Sequence, residues 1–179
     1  MCECHAKCYI CEDASEVLTV DHIKPRNSYP DLEYDWYNLL LACEHCNGVK
    51  GSNYSDIISP IECDPEAEIA FAPAVSKLDR VDVTAISKSQ KAANTVKLLN
   101  AVYNAENADP KRKLECARLK NKLWSELVKF RYYIEYFDKP GYNKLICENI
   151  GRASVFAAFK RKIIRDDPQL SAVFAKDLI

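Results

Sequence analysis

Cys43-Glu44-His45-Cys46-Asn47-Gly48-Val49-Lys50 decides the reading of this chain, because it repeats a spacing already present at Cys8-Tyr9-Ile10-Cys11. Each pair sets two thiols three positions apart, and 31 residues lie between the pairs. Two such knuckles supply four thiolates that converge tetrahedrally on one Zn²⁺. Six of the nine cysteines fall within the first 46 residues, which favours metal ligation over scattered buried thiols. In a reducing compartment ligands are also the better expectation than disulfides. Cys63, Cys116 and Cys147 stand alone and are expected to be buried and inert. Cys2, Cys4 and His5 lie near enough to compete for the same ion, and spacing does not exclude them.

Two apolar runs lie between the knuckles. Val17-Leu18-Thr19-Val20 favours a strand, and Asn38-Leu39-Leu40-Leu41-Ala42 forms the second run. A turn-rich segment with Pro25, Asn27, Ser28, Pro30 and Asp31 joins them. Cys43 to Lys50 then opens a short helix that ends near Gly51, which gives the order strand, strand, helix. Beyond it, Pro60 and Pro65 break any long helix, and a wrapping linker with little regular structure is expected. From Ser87 the apolar spacing is helical: Leu119, Leu123, Leu127, Phe130 and Ile134 recur at three- and four-residue steps. Pro140-Gly141 is expected to end this long helix, with a last helix over Ala153 to Arg165. The fold class is therefore α+β and mostly helical. A zinc-stapled unit at 1–60 is followed by an irregular linker at 61–86 and a helical extension at 87–179.

Hydrophobic residues make up 48% and charged residues 28% of the 179, near the averages for a soluble globular protein. No apolar run approaches the ~18 residues of a membrane span. The N-terminus lacks the basic-then-apolar pattern of a secretory signal, so a cytoplasmic protein is expected. The net charge of −1 conceals an asymmetry: residues 1–110 carry −9, residues 111–165 carry +10, and the rest −2. A basic block of this size suits a phosphate surface or an acidic partner, although a solvated helix face has the same composition.

Within the segment between the knuckles, Asp21-His22-Ile23-Lys24-Pro25 is followed by Asn38, then by Cys43-x2-Cys46-Asn47-x2-Lys50. This set resembles the HNH nuclease signature, the ββα-metal motif. The resemblance implies a metal-dependent DNA endonuclease. Phosphodiester hydrolysis needs a deprotonated water, in-line attack and relief of charge on the leaving oxygen. His22 can accept the water proton at neutral pH. Asp21 and Asn47 would supply oxygens to a single Mg²⁺ or Mn²⁺, and Asn38 would orient His22 or pin the loop. Lys50 is expected on phosphate or capping the motif, with Lys160 and Arg161 as further phosphate contacts.

The match extends further. Ser28-Tyr29-Pro30, Trp36-Tyr37-Asn38-Leu39-Leu40-Leu41-Ala42-Cys43 and Ser154 to Asp166 resemble the HNH subunit of Septu-type and retron-associated antiphage systems. That resemblance implies an ATPase partner of the ABC/SMC type, with the helical half docking on it or on DNA. A stand-alone restriction-type nuclease is the alternative, and a zinc-stapled nucleic-acid-binding or adaptor module without catalysis is a third reading.

Overall fold

The computed structural model describes residues 5–72, 76, 79–104 and 108–178. Its first elements follow the expected order. β1 (Leu18–His22) pairs antiparallel with β2 (Leu39–Cys43), in a register that sets Leu18 opposite Cys43 and His22 opposite Leu39. Leu40 and Ala42 of β2 face the core, as the two-residue period of a strand requires. The intervening loop makes two single turns of 3-10 helix, Pro30–Leu32 and Trp36–Asn38. Asp35 caps the second by accepting from the Tyr37 amide at 2.9 Å. β2 runs without a linker into α1 (Glu44–Lys50), and Cys43 is the N-cap: its Sγ accepts from the Cys46 amide. Gly51 ends the helix with φ +47°, a left-handed conformation that favours glycine.

Residues 61–86 are not the irregular linker expected. They contain a hairpin, β3 (Ile69–Ala72) paired antiparallel with β4 (Asp82–Ala85). The prolines at 60 and 65 stop a helix but leave a strand free to begin after them. Ile69 and Phe71 alternate inward, as Val81 and Val83 do opposite.

Five helices follow: α2 (Gln90–Tyr103), α3 (Pro110–Glu135), α4 (Tyr142–Ile150), α5 (Ala157–Asp166) and α6 (Pro168–Val173). Ser89, Asp109 and Asp167 cap α2, α3 and α6 by accepting amide hydrogens of the first turn. α4 was not expected. Its signal is the pair Ile146 and Ile150, one turn apart and both buried. The first core packs Ile10, Leu40 and Ala42 of the N-terminal unit with Leu98, Val102 and Phe159 of the helices. The two halves therefore share one core. A second cluster around Phe130, Ile146, Ile164 and Leu170 holds α3, α4, α5 and α6 together. Among the described residues no helix is long and apolar enough to cross a membrane.

Candidate active site

Cys8, Cys11, Cys43 and Cys46 are all buried, and their sulfurs lie within 4.8 Å of one another. A tetrahedral Zn²⁺ with Zn–S near 2.3 Å sets sulfurs ~3.8 Å apart, so the four thiols fit that ion. Their mutual hydrogen bonding points the same way. Donation from Cys11, Cys46 and Cys8 pulls the Cys43 thiol far below its ordinary pKa. Cys11 and Cys46 are pushed well above theirs, first by giving their protons to other sulfurs of the cluster. A dication replaces such shared protons readily. The first knuckle is tied to β2 by the Tyr9 amide donating to the Leu41 carbonyl at 2.9 Å. Cys2 and Cys4 lie outside the described residues. His5 is exposed and does not belong to the four-thiol cluster.

Asp21 turns inward from β1 and is buried. Lys50 of α1, 1% exposed, donates to one carboxylate oxygen at 3.2 Å, stands 3.1 Å from the other, and reaches the His22 carbonyl at 2.6 Å. The Tyr9 hydroxyl donates to the same carboxylate at 2.7 Å. Burial, then the charge of Asp21, holds the Tyr9 phenol well above its ordinary pKa, so it stays a donor. Two expectations change here. Lys50 stitches α1 to β1 instead of facing phosphate. Asp21 has both oxygens engaged by Lys50 and Tyr9, so a divalent cation held by Asp21 and Asn47 would share the carboxylate with these donors. Asn47 is half-buried and its amide donates to Thr19 Oγ1 at 3.3 Å. Tyr9 had not been singled out; its place inside the first knuckle, next to a ligand, was the available signal.

His22 is half-buried and takes the other side of β1, with Nε2 2.9 Å from the Glu33 carbonyl oxygen. A carbonyl only accepts, so Nε2 carries the proton and Nδ1 is left with its lone pair. Asn38 supports this loop. Its amide oxygen accepts from the Lys24 amide at 2.8 Å, and its nitrogen donates to the carbonyls of Lys24 at 3.1 Å and Leu32 at 3.0 Å. Of the two roles expected for Asn38, its contacts are those of a loop pin; the residue next to Leu32 is Glu33, the partner of His22.

His45 faces two acceptors, Glu115 of α3 at 3.1 Å from Nδ1 and the Val102 carbonyl of α2 at 2.9 Å from Nε2. It fastens α1 to the helical half. Lys160 and Arg161 are buried and serve the interior. Lys160 donates to Glu126 at 3.0 Å, Asn149 at 2.9 Å and Ser154 at 3.2 Å, and burial lowers its pKa against the pull of Glu126. Arg161 binds Glu66 and the Ile150 carbonyl. Lys160 faces no surface, and Arg161 borders a cavity with Lys7 and Arg152 but is engaged by Glu66, so both differ from the exposed phosphate contacts expected. Helical turn, not composition, decides which members of such a run point inward.

A strand-strand-helix unit stapled by four thiols, with Asp-His on β1 and Asn on α1, defines an HNH-type domain. Residues 2–53 match the HNH endonuclease family. The chain is similar to the Septu protein PtuB of Bacillus thuringiensis, with 39% identity over 70 residues that cover 35% of this chain. The match spans 27% of the length of that relative. No solved structure matches.

Proposed function

We propose that this chain is a nuclease that hydrolyses phosphodiester bonds in DNA, acting as the cutting subunit of an antiphage defence system. The observation that carries the reading is His22: one ring nitrogen is fixed on the Glu33 carbonyl, and the other is left as an acceptor, on an HNH domain. A water placed at Nδ1 gives up its proton there as its oxygen attacks phosphorus, and the Glu33 carbonyl stabilises the imidazolium through Nε2–H. The bond from phosphorus to the leaving 3′ oxygen breaks, and that oxygen takes a proton from solvent. The loop pinned by Asn38 keeps that carbonyl in place. The four thiols would hold Zn²⁺ as a structural ion that fixes β2 and the first knuckle. Dependence on Mg²⁺ or Mn²⁺ belongs to the HNH reading; Asp21 and Asn47 would hold that ion, Asp21 sharing its carboxylate with Lys50 and Tyr9, and the ion would offset charge on the leaving oxygen.

The likeness to a Septu protein supports the defence role; a cytoplasmic location and an ABC/SMC-type ATPase as partner are part of the same proposal. Tyr34, Trp36 and Tyr37 in the loop between β1 and β2 are 87%, 64% and 71% exposed, a composition typical of protein-docking patches. The test is conversion of supercoiled plasmid by the zinc-loaded protein, with Mg²⁺ added or omitted and with or without the ATPase subunit. Nicked or linear product only when the metal is added supports the reading. No cleavage in any combination contradicts it.

A further inference from the structure

The basic block loses Lys160 and Arg161 to the interior, yet α3 keeps its charge outside. The helix carries eight Lys and Arg against three Glu over 26 residues, a rod of about 39 Å at ~1.5 Å per residue. Two of the glutamates are shared with neighbours, Glu115 between His45 and Lys111 of its own helix, 3.9 Å away, and Glu126 with Lys160. At ~100° per residue, Lys111, Arg118, Lys122 and Lys129 fall within roughly 40° of one another, away from the buried side formed by Cys116, Leu119, Leu123, Leu127 and Phe130. Tyr136 continues that line and Tyr132 flanks it; they are 36% and 51% exposed.

The line begins at the HNH domain. Lys111 lies 4.0 Å from Glu44 of α1, and Lys122 pairs with Asp13 of the first knuckle at 2.7 Å. Arg118 and Lys129 are exposed and form no ion pair among the described residues. Lys129 lies over the Tyr133 ring, 6.0 Å from its centroid.

We propose that this face of α3 is a rail for duplex DNA. Lys111, Arg118, Lys122 and Lys129 lie against phosphates of the strand leading away from the HNH domain, over about 27 Å. The hydroxyls of Tyr132 and Tyr136 donate to phosphates at the far end. A straight row of cations spaced over several phosphates matches a stiff polyanion. It carries no base-edge readers, so the rail positions the duplex without selecting sequence. The identity of the polyanion rests on the nuclease reading above.

The test is binding of a labelled 30-base-pair duplex (about twenty base pairs longer than the rail's span needs at ~3.4 Å per pair) by the full chain, followed by fluorescence anisotropy at several salt concentrations without added divalent ion. The double variant Arg118→Gln/Lys129→Gln alters two exposed side chains outside the core. It is expected to weaken binding roughly tenfold and to reduce the salt slope by about 1.8, near 0.9 for each lost phosphate contact. Lys88→Gln, an exposed lysine ahead of α2, is expected to keep the wild-type slope. A double variant with wild-type affinity and slope overturns the rail, as does equal loss of slope in Lys88→Gln. Tighter wild-type binding to an RNA duplex of the same sequence overturns the assignment to DNA. Because cleavage is not read, the two failures separate. A chain that binds along α3 but never cuts sinks the nuclease reading alone; one that cuts while the double variant binds normally sinks the rail alone.

Discussion

Replacing Lys50 with Met keeps the length of the side chain and removes its charge. In the native protein the ammonium is 1% exposed and serves both oxygens of Asp21, at 3.2 and 3.1 Å, and the His22 carbonyl at 2.6 Å. After the change Asp21 keeps only the Tyr9 hydroxyl, and a buried carboxylate is left without a counter-charge. Breaking one side of a buried pair costs about 3–5 kcal/mol. With an unfolding entropy of ~2.1 cal/mol/K per residue, a chain of this size loses about 8–13 °C in Tm for that cost. Asp21→Asn/Lys50→Met removes both charges and is expected to recover part of the loss, giving a coupling of about 1–3 kcal/mol in a double-mutant cycle. Thermal melts followed by far-UV circular dichroism and urea titrations read both quantities. A Lys50→Met melt within about 1 °C of wild type, or strictly additive losses, would refute the view that this pair stitches α1 to β1.

Three further outcomes are expected. Cys46→Ser removes one thiolate of the four, and the protein should lose stoichiometric zinc and the cooperative melt together; retained zinc by metal analysis would contradict the cage. Asn38→Ala unpins the loop that holds Glu33 and leaves backbone groups of Lys24 and Leu32 without partners, a loss of about 1–3 kcal/mol; its cleavage rate should fall further than the stability loss accounts for, measured below the melt. Tyr9 and Tyr103 are acids whose phenol pKa values are pushed up, in both cases first by burial. Their contribution is intact below pH 10 and is lost as pH rises above it, by up to ~1.4 kcal/mol per pH unit per group. Tyr103→Phe should flatten part of that alkaline fall in urea titrations, and an unchanged slope would count against it.

The strand-strand-helix unit was legible because its signals are local: two Cys-x2-Cys pairs, an apolar run ending at Cys43, and a glycine at position 51. The helical half was legible where apolar residues recur regularly, as along α3. The β3–β4 hairpin was not, because four-residue strands amid prolines give little periodicity, and α4 was hidden because its isoleucine pair is short. Side-chain orientation was the least readable level. Asp21, Lys50, Lys160 and Arg161 all look like surface chemistry in sequence. Each is buried because its counter-charge or hydroxyl partner comes from a distant segment: Asp21 with Lys50, Lys160 with Glu126, Arg161 with Glu66. His45, set between two thiols of the four-cysteine cluster, likewise depends on Glu115, 70 residues on.

The most direct measurement is the rate of plasmid cleavage by His22→Ala beside wild type, both carrying one equivalent of zinc and both with Mg²⁺ added. Loss of the imidazole should lower the rate by about 10²–10⁴-fold while the melt and zinc content stay unchanged. A His22→Ala protein that cuts at the wild-type rate would contradict the account.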